Sequence, residues 1–294
     1  MSQPITPADR QNPAEPGRLR AAAVLSRTRE EGRPALIGYL PVGFPDLAGS
    51  IAAARTLIEH GVDMIELGLP FSDPVMDGPV IQEAATRALE GGTRTRHVLQ
   101  AVSELSGRGA AIVVMSYWNP ILAYGVDAFA RDLAAAGGAG LITPDLTPDE
   151  AGEWIAASER HGVDRIFLVA PSSPRERLEY VVGHTRGFVY AASTMGVTGT
   201  RTSVSTATEG LVARTREAGA QNVCVGLGVS TGDQAAEVGA YADGVIVGSA
   251  FVRALLEAEP GDLAPLAAVA DDLRAGIDRA RPRQARVAQE GAGA

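Results

Sequence analysis

The chain has 294 residues, 46% hydrophobic and 21% charged, with a formal net charge of -9 and a pI near 5.0. That length suits one large domain or two small ones, and the acidic balance argues against nucleic acid or an anionic membrane as the main partner. No apolar run approaches the roughly 20 residues of a membrane span.

Up to about residue 18 the chain is polar and proline-rich, reads as disordered, and has no apolar core of a signal peptide. A helix is expected from Leu19 to Glu31, leading into an apolar run at Ala35–Leu40. Strand-like runs then recur at Met64–Leu69, Ile112–Tyr117, Gly140–Asp145, Arg165–Ala170, Gly187–Ser193, Val223–Val229 and Gly244–Ala250. Between them lie alanine-rich amphipathic stretches at Leu47–His60, Val126–Ala136, Pro148–His161, Pro174–His184, Ser205–Ala218 and Gly232–Tyr241. Gly91-Gly92-Thr93 splits the longest gap into helices Val80–Glu90 and Thr95–Ser106. Eight alternating units with no second-domain signal predict a TIM (β/α)8 barrel with an extra N-terminal helix, spanning residues 19–280. A doubly wound open sheet is the rival, but the turn after the first run, Pro41-Val42-Gly43-Phe44-Pro45, is no dinucleotide fingerprint. The tail from residue 281 to 294 loses periodicity and is expected to be flexible.

Two absences narrow the chemistry. Lysine does not occur, so a lysine Schiff base is excluded, and with it lysine-dependent aldol cleavage and pyridoxal phosphate held as an internal aldimine. The four histidines, His60, His97, His161 and His184, lie far apart without a metal-ligand spacing, so no metal site is expected. Cys224 is the single cysteine, permits no internal disulfide and points to a reducing cytoplasm; in a predicted core strand it reads as an inert packing residue.

What remains is carboxylate chemistry. Glu66 interrupts the second apolar run, and a carboxylate is seldom buried without a partner or a purpose. The loop behind it carries Asp73 and Asp77, and three acids at one strand end suggest an acid–base site. Each has an ordinary reading too: Glu66 as half of an ion pair, Asp77 as a loop or capping residue, Asp73 before Pro74 as a turn residue. Asp145 could orient a loop or cap the helix beginning near Pro148. Glycines follow the last three runs, in Gly196-Val197-Thr198-Gly199, Gly226-Leu227-Gly228 and Gly248-Ser249-Ala250. Singly these are turn glycines; together, at the ends where such barrels bind phosphate, they predict an anion site built from backbone amides.

The run from Glu66 to Ile81, reading Glu-Leu-Gly-Leu-Pro-Phe-Ser-Asp-Pro-Val-Met-Asp-Gly-Pro-Val-Ile, closely resembles the signature of the tryptophan synthase α chain. The similarity continues through Tyr117-Trp-Asn-Pro-Ile, Tyr124-Gly-Val-Asp-Ala-Phe, Pro144-Asp145-Leu, Gly196-Val-Thr-Gly199, Val225-Gly-Leu-Gly-Val-Ser230 and Asp243-Gly-Val-Ile-Val-Gly-Ser-Ala250. The resemblance implies retro-aldol lysis of indole-3-glycerol phosphate to indole and glyceraldehyde 3-phosphate. It makes Glu66 and Asp77 the catalytic acids, Glu66 moving protons and Asp77 holding the indole N–H. It places Tyr39, Met115, Tyr117, Tyr190, Leu227 and Ile246 around the indole. Thr198 would meet Asp77 as its loop closes, and Gly199, Gly228, Gly248 and Ser249 would bind phosphate. Pro70 and Asp73 would face a β chain in an α2β2 heterotetramer, and Asp145 would serve subunit communication. No cofactor is implied in this chain; pyridoxal phosphate belongs to the β partner.

Departures from the family pattern fall at Ser193-Thr194-Met195-Gly196, where many members have Ser-Arg-Ser-Gly, and at Leu227, where many have phenylalanine. They bear on loop latching and on one pocket wall. Competing functions are a standalone lyase releasing indole, a non-catalytic activator of a β chain, and another phosphate-binding barrel such as an isomerase. Retained acids and glycines disfavour the activator, and the missing lysines disfavour the isomerase.

Overall fold

A computed structural model describes residues 19–192, 201–226 and 228–280. The expected segments 1–18 and 281–294, and the residues Thr198, Gly199 and Leu227, lie outside the described residues. The described strands are β1 Ala35–Pro41, β2 Met64–Gly68, β3 Ala111–Met115, β4 Gly140–Ile142, β5 Asp164–Ile166, β6 Leu168–Val169, β7 Val189–Ala192, β8 Val223–Gly226 and β9 Gly244–Val247. The helices are α1 Ala21–Glu30, α2 Leu47–Glu59, α3 Pro79–Glu90, α4 Thr95–Leu105, α5 Trp118–Tyr124, α6 Val126–Ala135, α7 Gly152–His161, α8 Arg175–His184, α9 Arg201–Glu217, α10 Gly232–Gly239, α11 Ser249–Glu257 and α12 Ala264–Arg279.

Every described pairing is parallel, in the order β5-β4-β3-β2-β1-β9-β8-β7-β6. The two ends of that order, β5 and β6, are halves of the fifth predicted run, interrupted only at Phe167. Its carbonyl still accepts from Tyr190 N–H at 3.1 Å, so the sheet closes on itself as an eight-unit barrel. The near-continuous apolar runs arise because each strand is covered on both faces. Ala35, Ile37, Met64, Val113, Phe188 and Cys224 fill the interior, while Leu36, Ile65, Val114 and Val245 meet the helices.

At the N-terminal rim, α1 plugs the barrel with Ala21, Val24 and Leu25. Two aspartates just ahead of strands tie down the same rim. Asp63 accepts from Leu36 N–H at 3.0 Å and from both terminal nitrogens of Arg33 at 2.7 and 2.9 Å. Asp243 accepts from Val223 N–H at 2.8 Å and from Arg216 at 2.9 Å.

Two helices go beyond the predicted elements. Helix α5 starts at Trp118, where the sequence suggests a strand end, because Pro120 falls in the first turn and needs no intrahelical donor. Helix α12 buries Leu266, Ala270, Leu273 and Ile277 on one face. It packs against α10 so closely that a Cβ on Gly276 would stand 1.9 Å from the Gly232 carbonyl oxygen. Helix α7 begins at Gly152 rather than at Pro148.

Candidate active site

Glu66 sits inside β2 with Met64 and Gly68 on the same inward face, and is 1% exposed. Its register partners are Tyr39 on β1 and Val113 on β3. Its Oε2 is buried and has no hydrogen-bond partner among the described residues. Burial, reinforced by the nearby Asp77 charge, pushes the carboxyl up to about 8. The reading of Glu66 as half of an ion pair is therefore set aside: it is a neutral acid at pH 7, poised to give a proton.

Asp77 lies in the loop between β2 and α3, one residue before the Gly78 N-cap and two before Pro79. The Tyr117 hydroxyl donates to its Oδ1 at 3.2 Å and accepts from Met76 N–H at 3.0 Å. Gln82 Nε2 donates to the Asp77 carbonyl at 2.7 Å, and the Phe71 ring stacks on Tyr117 at 5.2 Å between centroids. Burial raises the Asp77 carboxyl above its ordinary value, and the Tyr117 hydrogen bond opposes that rise. Burial also drives the Tyr117 phenol up to about 12, keeping it a donor.

Two tyrosines reach across the barrel mouth, and glycines make room for both. A Cβ on Gly68 would stand 2.3 Å from the Tyr39 hydroxyl, and one on Gly226 would stand 2.3 Å from the Tyr190 hydroxyl. Any larger residue at either position would displace the ring. Met115 ends β3 in register with Gly68 and Ile142, and Ile246 on β9 is in register with Ile37 and Gly226. Acids, tyrosines and apolar walls thus converge at the C-terminal strand ends.

Gly248 is the N-cap of α11, whose first residue is Ser249, so the first-turn amides of that helix are available to an anion. Gly228, just past β8, has φ +68°, a conformation that favours glycine. A Cβ on Gly248 would stand 3.4 Å from Tyr39 Cδ1, which sets this corner next to the tyrosine wall.

Asp73 is exposed on the same loop as Asp77, whereas Pro70 is buried beneath it. Val75 and Met76, 78% and 47% exposed, give the loop an apolar outer face. Of the two expectations for Asp145, capping the helix after Pro148 is not met, and the side chain instead ties its loop to another. Both its carboxylate oxygens accept from Trp118 N–H, at 2.9 and 3.1 Å, at the start of α5.

Sequence reasoning missed Gly68, whose importance is steric, and Leu168, which faces inward beside Tyr190. The apolar residue near the end of the fifth run was the available signal for Leu168. Among the described residues no group of three His, Cys, Asp or Glu side chains is placed to hold a metal ion, and no helix is long and apolar enough to cross a membrane.

Comparison with known proteins bears on this geometry. Residues 25–275 match the family model described as tryptophan synthase alpha chain. The tryptophan synthase alpha chain of Bifidobacterium longum is 56% identical over 269 residues, covering 89% of this chain and 92% of that protein. That of Mycobacteroides abscessus is 58% identical over 266 residues, covering 90% and 99%. A solved structure of Mycobacterium tuberculosis tryptophan synthase in space group F222 superposes with a TM-score of 0.82 at 56% identity, covering 88% of this chain and 98% of that one.

Proposed function

The chain belongs to the tryptophan synthase alpha chain family, and from that premise we propose that Glu66 and Asp77 carry out its reaction. That reaction is the carbon–carbon lyase step of tryptophan biosynthesis, cleaving indole-3-glycerol phosphate to indole and glyceraldehyde 3-phosphate. Indole passes to the β chain, which holds the pyridoxal phosphate, in an α2β2 heterotetramer; this chain needs no cofactor of its own.

The observation that supports the residue assignment is a buried, unpaired, neutral carboxylic acid beside a second carboxylate at the barrel mouth. Glu66 donates its proton to the ring carbon that bears the glycerol side chain, and the ring becomes an iminium cation. Asp77 accepts a hydrogen bond from the indole N–H and stabilises that positive charge electrostatically. The hydroxyl next to the breaking bond then loses its proton to the Glu66 carboxylate. The electrons of the O–H bond form the aldehyde, and those of the carbon–carbon bond return to the ring and neutralise it. The protonated ring is the electron sink, which is why a lysine-free chain suffices.

Tyr39, Met115, Tyr117, Tyr190 and Ile246 enclose the indole, and Gly228, Gly248 and Ser249 take the phosphate; for Leu227, Gly199 and Thr198, outside the described residues, the roles are those the family resemblance implies. Pro70 and Asp73 belong to the β-facing loop. The catalytic domain spans residues 19–280 and works in the cytoplasm. Replacing Glu66 with glutamine should abolish indole release while the circular dichroism spectrum and the binding of a β chain persist. Near-normal turnover in Glu66→Gln would sink the assignment. Acceleration of indole release by added β chain would separate the complex subunit from a standalone lyase.

A further inference from the structure

Two polar groups in the site, on neighbouring strands, make no side-chain hydrogen bond among the described residues. One is Oε2 of Glu66. The other is the hydroxyl of Tyr39, a residue 8% exposed that makes no hydrogen bond among the described residues. Tyr39 and Glu66 are register partners, so both side chains face inward at one level of the barrel. The Tyr39 ring spans from the β9 side, where a Cβ on Gly248 would stand 3.4 Å from its Cδ1, to the β2 side. There a Cβ on Gly68, the next inward position after Glu66, would stand 2.3 Å from the phenol oxygen. The hydroxyl therefore lies one inward step above Glu66, on the side of the loop that carries Asp77.

The chemistry of the two groups is complementary. A phenol can donate, and an ionised carboxylate only accepts. A neutral carboxylic acid tolerates an open oxygen, whereas the buried anion left after proton transfer is strongly destabilised without a donor. The titratable groups facing Glu66 are Tyr39 from β1, Asp77 from the loop after β2, Tyr190 from β7 and Cys224 from β8. Asp77 is a like charge, and Tyr190 lies over Gly226 on another wall. Tyr117, two residues past the end of the other flanking strand, already spends its hydroxyl on Asp77 and Met76.

We infer that Tyr39 is a positioning residue for Glu66, its hydroxyl donating a hydrogen bond to the carboxylate that remains once Glu66 has given up its proton. The donor is thereby held in reserve for the charged half of the cycle and is released on reprotonation. This rests on the proton-shuttle role of Glu66.

The test is Tyr39→Phe, which keeps the ring over Gly68 and Gly248 and removes only the oxygen. Infrared difference spectra of the substrate-free full chain, with Glu66→Gln used to identify the Glu66 C=O band, follow the pH at which that band disappears. The band should vanish about one pH unit higher in Tyr39→Phe than in the native chain. The alkaline limb of kcat should move in the same direction, with KM for indole-3-glycerol phosphate little changed and the melting temperature preserved. Identical titrations in the two proteins would overturn the inference. So would a raised KM with an unmoved pH profile, which would place the hydroxyl on the substrate. The band reports the protonation of Glu66 whether or not turnover depends on it. Failure here is thus distinct from failure of the catalytic assignment, which an active Glu66→Gln would reveal.

Discussion

The Tyr117 hydroxyl stands between the Asp77 carboxylate, to which it donates at 3.2 Å, and the Met76 amide, from which it accepts at 3.0 Å. One phenol thus holds the second acid in place and opposes the rise that burial imposes on its carboxyl. Tyr117→Phe removes both hydrogen bonds and keeps the stacking with Phe71. The kcat/KM for indole-3-glycerol phosphate should fall about tenfold, the size of one lost hydrogen bond to a charged group. The melting temperature should change little. Steady-state kinetics with undiminished kcat/KM would mean that Asp77 holds its position unaided.

The titration of Glu66 gives stability and activity different, adjoining pH windows. Its proton is lost as pH rises through about 8, so turnover that needs the acid form should decline above that pH. Its ordinary value is 4.5, so between 4.5 and about 8 the unfolded chain binds fewer protons than the folded one. Stability therefore falls across that window, by about 1.4 kcal/mol for each pH unit. Glu66→Gln abolishes the effect. Urea unfolding should show the variant more stable than the native chain at pH 8, with the gap closing toward pH 5; the opposite order would contradict the buried, neutral state.

A backbone phosphate site predicts selective damage. Gly228 sits at φ +68°, where a side chain costs about 1–2 kcal/mol of strain and crowds an approaching anion. Gly228→Val should raise KM for indole-3-glycerol phosphate several-fold and leave KM for the unphosphorylated indoleglycerol nearly unchanged. Equal effects on both substrates would remove the phosphate from this corner.

Far from the site, Gly276→Ala tests the packing of α12 on α10. The added Cβ would stand 1.9 Å from the Gly232 carbonyl oxygen, so the helices must separate. A loss of about 3 kcal/mol is expected in denaturant unfolding, at the upper end of overpacking costs. The kcat of the folded fraction should be unaltered.

At the N-terminal rim, Asp63→Asn should be costly for a different reason. Asp63 is 5% exposed and holds Arg33 through two contacts at 2.7 and 2.9 Å. Without the carboxylate, Arg33 keeps only the half-exposed Glu31, 2.6 Å away, so a loss of about 1–3 kcal/mol is expected in denaturant unfolding. Indole formation at a temperature well below the melting point should persist.

Much of the fold was legible because a parallel barrel buries both faces of every strand, which leaves runs such as Met64–Leu69 and Gly244–Ala250 conspicuous. The break at Phe167 was not legible, since Ile166 through Val169 are all apolar and closure of the barrel decides it. Helix α12 did carry a signal: Pro260-Gly261-Asp262 mark a turn ahead of it, Pro265 falls in its first turn, and Leu266, Ala270, Leu273 and Ile277 follow at helical spacing. Glu66 stood out as a carboxylate inside an apolar run. The pairing of Asp77 with Tyr117 could not, because the two lie 40 residues apart and meet only when β2 and β3 are side by side. The partner of Asp145 was hidden for the same reason: it is the amide of Trp118, 27 residues earlier, not the nearby helix.

The closure at Phe167 also governs how the molecule can associate. An open sheet ends in rows of unpaired N–H and C=O groups onto which a foreign strand can add. Here the first and last members of the ladder, β5 and β6, are consecutive pieces of one run, so the cylinder of described strands presents no such row. Main-chain templating is closed off, and binding to other chains falls to side chains on helices and loops. The exposed rim bearing Val75 and Met76 lies a few residues from Asp77, so a chain docking there, as proposed for the β chain, would sit beside the access to the acids.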